Sequence, residues 1–373
     1  MFFMLKIVNK QHVMICYINR STVDYDVRLH KYVQACKNTN TPYLVIGWDR
    51  MLNAKFADEN EYQLKLYCPY AQGKKIIPAI RWCFFMWYHL IKNFSRYKVI
   101  HACNMENALF SIPFKLLGKK VVFDIYDSQI IKLERQIAPK ADCLILPAEK
   151  RLEQIGIDKR CLKRFLEIEN VPTFNISVYH IEGLKRNKIY LSYVGVFQKN
   201  IRGLENLIKM VLQDERFILD IAGVGDDLEN MIIAASTKCD RINYHGKVQY
   251  TEALKIMNES DFIVALYYPY SSNHIFASPN KSYEALFLAT PIITSKGTLV
   301  GDKVLGTNTG YVVDDTLEGL HKLFDCVETE EFKKEYDNKV NNCKLLWDKI
   351  YADYKLQVLE GKYLDIIKKL SKV

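Results

Sequence analysis

The stretch IYLSYVGVFQKNIRGLENLIKMVLQ, residues 189–213, decides the fold. It opens as an apolar, β-prone run (189–196), breaks at a polar turn holding Arg202 and Gly203, and continues as a helix. Strand, loop and helix in that order form the unit of a parallel sheet covered on both faces. The unit recurs along the chain.

Toward the C-terminus, strands are expected at 217–223, 242–247, 261–268 and 291–295, with helices over 228–237, 251–260 and the start of 277–293. Toward the N-terminus, strands are expected at 12–18, 43–48, 97–102, 120–126 and 143–148. Between them lie helices over 27–38, near 80–94, 106–118 and 129–138. In the first of these, Val27, Tyr32, Val33 and Cys36 are read as inward-facing. An irregular stretch, 167–188, separates the two sets and reads as a linker. The chain is therefore read as α/β, with two Rossmann-like parallel-sheet domains facing each other across a crevice and the ligand at the carboxyl ends of the strands. The expected division is 1–185, 186–345 and a helical segment, 346–373, that packs back on the first domain.

The bulk numbers agree with such a chain. Its 373 residues, 49% hydrophobic and 25% charged, suffice for two cores and argue against a disordered chain. Ten cysteines stand singly, without a metal-ligand spacing, and read as reduced thiols of a cytosolic protein. The N-terminal apolar stretch is interrupted by Lys6, Asn9, Lys10 and Gln11, and reads as neither an export signal nor a spanning segment.

The net charge of +9 is unevenly spread. From Tyr62 to Met105 there is no acidic residue, while Lys65, Lys74, Lys75, Arg81, Lys92, Arg96 and Lys98 fall inside. Within this interval IRWCFFMWYHLIKNFSRYK mixes aromatic and basic positions. That pattern suits either a core helix with a basic edge or a helix at an anionic membrane surface. It lacks the organisation of a recognition helix or single-strand module, which argues against nucleic acid.

Three places carry candidate chemistry. After the strand 189–196, Arg202 stands beside a helix start, where free N–H groups and a cation suit a phosphate. In IAGVGDD, Gly223 and Gly225 let the backbone approach a ligand closely. The third is ASPNKSYEALFLATPII, 277–293, where Pro279 can start a helix, Asn280 lies close to its N-cap, and Lys281 and Glu284 share one face near the start. A lysine there can meet phosphate oxygens, and a first-turn carboxylate can accept hydrogen bonds from sugar hydroxyls. Together they suit a nucleoside-diphosphate sugar.

The series YVGVFQKNIRGLENLI, ILDIAGVGDDLE, INYHGKVQYTEALKIMNESDFIVAL, SPNKSYEALFLATPIIT and GYVVDD resembles the donor-binding domain of retaining glycosyltransferases of the GT-B fold, in the family 4-like group. DYDVRLHKYVQA, KVIHACNMENAL, VVFDIYDSQI and ADCLILPAEKRLEQI resemble acceptor-domain motifs, and the likeness spans roughly residues 12 to 315. It implies donor binding by Gly195, Arg202, Gly223, Gly225, Asn280, Lys281 and Glu284, with Arg202 facing the diphosphate and Glu284 the ribose. It also implies a catalytic set of His101, Asp127, Arg202 and Lys281. The chain departs from the pattern in three places: Phe276 occupies the position of the first of two paired glutamates, Val196 that of a basic residue, and Tyr126 that of a histidine.

What the resemblance implies is sugar transfer from a nucleoside-diphosphate donor to a hydroxyl with retention of configuration. No metal or other cofactor is called for. The basic, aromatic first domain suits an acceptor held at the inner face of the membrane, a glycan or lipid-linked sugar in surface-polysaccharide or other glycan assembly, and the protein is expected in the cytoplasm or peripheral at that face. The rival readings are a noncatalytic sugar-nucleotide-binding partner of a transferase and a GT-B-like epimerase or phosphorylase.

Overall fold

The structure, a computed structural model, describes residues 15–21, 26–53, 59–68, 76–128, 130–172, 184, 187–225 and 228–372. Residues 12–14 of the first expected strand, Lys74, Lys75, most of the expected linker, and Asp226 and Asp227 lie outside the described residues.

The chain divides into two compact units, 1–169 with 354–373, and 170–353. The expected boundaries at 185/186 and 345/346 thus differ from the observed division. One reason is an unexpected strand, Phe165–Glu167, which extends the first sheet and brings the division to the residues just after it. The other is that the first half of the C-terminal helical run packs with the second unit. Phe332 and Tyr336 of Glu330–Leu346 join that unit's core, and Phe287 meets Trp347 at a 4.9 Å ring separation.

The first unit holds a seven-stranded sheet of β1 (Ile15–Ile18), β2 (Tyr43–Asp49), β3 (Glu61–Lys65), β4 (Val99–Cys103), β5 (Lys120–Asp124), β6 (Cys143–Leu146) and β7 (Phe165–Glu167). Its order is β3-β2-β1-β4-β5-β6-β7, and every pairing is parallel. Side chains alternate across a strand, so β1 sends Ile15 and Tyr17 to one face, Cys16 and Ile18 to the other. The helix Val27–Asn38 and the C-terminal residues Leu359, Tyr363, Leu364, Ile367 and Leu370 cover the first face. Trp82, Met86 and Leu90 of the helix Ile76–Lys92 cover part of the second. Within Val27–Asn38 the inward positions include Tyr32, Val33 and Cys36, whereas Val27 is half-buried and Arg28 is buried instead.

The second unit holds β8 (Ile189–Val196), β9 (Phe217–Val224), β10 (Ile242–Tyr244), β11 (Phe262–Ala265), β12 (Ile292–Ser295) and β13 (Gly310–Val313). Their order, β10-β9-β8-β11-β12-β13, repeats that of the first six strands of the other sheet, again all parallel. In both units the order reverses between the first and fourth strands, where ligands of doubly wound sheets bind beyond the carboxyl ends. In the second unit this point lies between β8 and β11. The strands β3, β7 and β13 were not expected from sequence. All are edge strands of three to five residues, too short for a clear alternation.

Candidate active site

At the carboxyl end of β8 the chain carries Gly195, in register with Gly223 of β9. Both have φ +144°, a conformation that side-chain-bearing residues rarely adopt. Their backbones lie so close that a Cβ on Gly223 would overlap the Gly195 carbonyl oxygen. Beyond them, Phe197 N–H donates to the Val224 carbonyl at 2.9 Å, and Gly225 fits against the Phe197 carbonyl with no room for a Cβ. The two glycine turns therefore form one packed ledge of backbone.

Lys281 reaches this ledge from the helix Asn280–Leu288. A Cβ on Gly195 would stand 2.8 Å from its Nζ, and the ammonium lies 5.4 Å from the Tyr193 ring centroid. Asn280 and Lys281 are the first two residues of the helix, which begins after an extended Pro279 and has no side-chain cap. The helix thus starts beside a cation, and its N-cap residue gives the first N–H groups no side-chain bond.

Arg202 precedes Gly203, the left-handed residue that starts the helix Leu204–Gln213. Its guanidinium lies 4.3 Å from the Tyr267 ring centroid, and its Nε donates to Gln198 Oε1 at 3.0 Å. Tyr193 links the two cations. Burial, then the nearby Tyr267, push its phenol up against the opposing pull of Arg202. Its hydroxyl donates to the Val196 carbonyl at 3.0 Å.

Glu284 lies one turn beyond Lys281, yet it points into the protein. It is 3% exposed, and Tyr250 donates to its Oε1 at 2.8 Å. Burial and then the Glu284 charge raise the Tyr250 phenol, which therefore stays protonated as a donor. The expected first-turn carboxylate is corrected accordingly: the first turn carries no acid, and Glu284 belongs to the second.

The structure brings Gly195, Gly223, Gly225 and Lys281 together, places Arg202 near them through Tyr193 and Tyr267, and sets Asn280 at the adjoining helix start. His101 and Asp127 belong to the other unit. His101 lies within β4 rather than at its end and is fully buried, with Nδ1 2.9 Å from Tyr363 Oη and Nε2 3.3 Å from Asp124 Oδ2. The ring that the resemblance places in the catalytic set is thus enclosed in the core against Asp124 and Tyr363. Asp127 is exposed, 3.8 Å from Arg151.

Sequence reasoning missed the group around Asp124. Arg28 donates to both oxygens of this carboxylate, through Nε at 3.0 Å to Oδ2 and Nη2 at 2.9 Å to Oδ1, and Tyr32 donates at 2.7 Å. Burial opposes ionisation of Asp124, but Arg28 and then His101 hold it down to about 2. The available signal was a charged Arg28 at a helix position flanked by inward-facing residues, opposite a strand ending in Asp. Tyr193, Tyr250 and Tyr267 were missed as well, because an aromatic in a strand or helix reads as core. Among the described residues, no group of three or more His, Cys, Asp or Glu could hold a metal ion.

No family model and no curated protein sequence matches this chain. Solved structures do. Sucrose-phosphate synthase from Thermosynechococcus elongatus superposes with a TM-score of 0.70 at 14% identity, covering 96% of this chain and 100% of that one. Anabaena HepE in complex with UDP gives 0.64 at 12% identity, covering 96% and 99%. The lipopolysaccharide outer core galactosyltransferase WaaB gives 0.64 at 14%, covering 97% and 100%. The chain has the GT-B fold: two Rossmann-like parallel-sheet domains.

Proposed function

We propose that this protein is a glycosyltransferase that moves a sugar from a nucleoside-diphosphate donor to a hydroxyl acceptor with retention of configuration. The observation that carries this reading is the Lys281 ammonium set over Gly195 at the end of β8, beside an uncapped helix start. Arg202, stacked on Tyr267, supplies a second cation, whose pull reaches Tyr193 beneath Lys281. The fold supports it too, since HepE has been solved with UDP-glucose as well as UDP.

In this reading the diphosphate lies across the glycine ledge, where a side chain would keep it away. Lys281, Arg202 and the N–H groups at Asn280 and Lys281 stabilise the negative charge that grows on the leaving diphosphate as the glycosidic bond breaks. Gly223 and Gly225 admit the nucleotide, and Glu284, fixed by Tyr250, serves the ribose hydroxyls. The acceptor hydroxyl belongs to a growing glycan or lipid-linked sugar, bound by the first domain in the cytoplasm, with Asp127 the exposed carboxylate available to it. No metal or cofactor is invoked, because the two cations and the helix starts supply the positive charge.

Phe276, standing where the paired-glutamate motif has its first carboxylate, favours the rival reading of a noncatalytic sugar-nucleotide-binding partner of a transferase. One neighbouring structure, a putative UDP-N-acetylglucosamine 2-epimerase from Listeria monocytogenes, keeps the epimerase alternative in view (TM-score 0.63, 12% identity, 96% of each chain).

Titration calorimetry with UDP-, GDP-, ADP- and CMP-sugars tests the proposal, with Arg202→Ala and Lys281→Ala alongside. One nucleotide sugar should bind selectively, both substitutions should weaken it, and supplying an acceptor should release the free nucleotide. Binding without any turnover would favour the noncatalytic partner. Isomerised sugar nucleotide without transfer would favour the epimerase.

A further inference from the structure

The helix Ile76–Lys92 of the first unit buries Trp82, Met86 and Leu90 against the sheet. A surface helix of this kind ordinarily turns a polar face outward. Here the outward face is apolar. Ile77, Ile80, Phe84, Tyr88 and Ile91 follow one another at steps of three and four, which places them on a single stripe about 20 Å long. They are among the large exposed hydrophobic side chains, Ile77 and Phe84 each at 72%.

The charges on the helix itself have one sign, and Glu106, an acid off the helix that Cys83 feels, is paired with Arg20 at 3.6 Å. Arg81 and Lys92 are exposed on the same helix, and the Lys92 ammonium lies 5.6 Å from the Tyr88 ring centroid. No carboxylate occurs between residues 62 and 105. We infer that this face docks flat on an anionic membrane surface, its apolar and aromatic side chains entering the headgroup boundary and Arg81 and Lys92 meeting lipid phosphates. Among the described residues no helix is long and apolar enough to cross a membrane, so the helix lies on the surface.

Two other occupants fit less well. A second copy meeting this face would bring Arg81 and Lys92 against their own counterparts with no acid on the helix to pair them. A protein groove would have to be both apolar and rimmed with acid, a combination that an anionic bilayer supplies along its whole surface. The inference does not depend on the donor-site reading, since it concerns the other unit.

The test is co-sedimentation of the full chain with phosphatidylcholine vesicles, with and without phosphatidylglycerol, at low and high salt. The wild-type protein should partition onto the phosphatidylglycerol vesicles and be released by salt. A Phe84→Glu, Ile91→Glu protein should partition about tenfold more weakly or worse, with unchanged circular dichroism and thermal midpoint. An Arg81→Gln, Lys92→Gln protein should lose the preference for phosphatidylglycerol. Wild-type protein that stays in the supernatant would overturn the inference, as would undiminished partition of the Glu variant. So would light scattering that shows a wild-type dimer converted to a monomer by Phe84→Glu, which would assign the face to a second copy.

Discussion

The Lys281 ammonium occupies the space above Gly195 that a side chain would fill, since a Cβ there would stand 2.8 Å from Nζ. One residue supplies the charge, and the other supplies its room. Lys281→Met keeps the stem and removes the charge, so the protein should fold as before while its affinity for the nucleotide sugar falls roughly tenfold to a hundredfold, the worth of a charge-assisted hydrogen bond. Gly195→Ala should weaken donor binding as well and lower stability by about 1–3 kcal/mol, because its φ of +144° is strained for alanine. Calorimetry and thermal melting on both variants check this. Unchanged affinity in Lys281→Met would remove Lys281 from the site.

Gly223 makes a sharper prediction. A Cβ there would overlap the Gly195 carbonyl, which is backbone and cannot swing aside. Gly223→Ala should therefore destabilise the second domain by ~3 kcal/mol or more. By comparison, Gly246→Ala, where φ is +65° and nothing lies within 4 Å of the added Cβ, should cost only about 1 kcal/mol. Urea unfolding of the pair decides it, and equal losses would contradict the close approach of the two glycines.

Tyr250 and Glu284 separate positioning from direct contact. Tyr250→Phe removes the 2.8 Å hydrogen bond to Glu284, and the loss should lower stability by about 1–3 kcal/mol. If Glu284 holds the ribose, the variant should also bind a nucleoside-diphosphate sugar more weakly, while binding of free pyrophosphate should not change. Equal weakening of both ligands would show that the phosphate ledge, not the carboxylate, had been disturbed.

Acid should destabilise the first domain in two steps of the same sign. His101 is held below its ordinary 6.5 by burial, which outweighs the raising effect of Asp124. The unfolded chain therefore takes up this proton first, and stability begins to fall as pH drops below about 6.5. Asp124 is lowered from 3.8 to about 2, so its contribution is complete above pH 3.8 and is lost as pH falls through about 2. The Asp124 step amounts to roughly 2 kcal/mol. Unfolding free energies measured from pH 7 to pH 2 should fall less in the upper part for His101→Gln than for the wild type, while Asp26, whose carboxyl burial raises, works with the opposite sign at low pH. An upper part unchanged by His101→Gln would refute the assignment.

Much of the fold was legible because its signals are local. The strand 189–196 and the helix 27–38 occur with the expected bounds. Continuous apolar runs mark strands buried on both faces, and Asp26, which accepts from Leu29 N–H at 2.8 Å, caps the helix where the periodicity starts. The short edge strands β3, β7 and β13 carry no such signal, since three to five residues become strands through the neighbours they pair with. The site was legible in part. Glycine turns and a lysine at a helix start can be seen in a sequence, whereas the direction of a carboxylate cannot.

By itself, the sequence determined two repeats of a strand–helix alternation, the glycine turns at Gly195 and Gly223, and the one-signed charge of residues 62–105. Each of these depends on residues near one another in the chain, through backbone preference and hydrophobic period. Only the tertiary structure decided that Lys281 reaches Gly195, that Glu284 turns inward to Tyr250, and that His101 is enclosed with Asp124, Arg28 and Tyr363. Those side chains meet across separate strands and helices. Their exposure and charge state are set by packing and desolvation among residues distant in the chain, which no local pattern encodes.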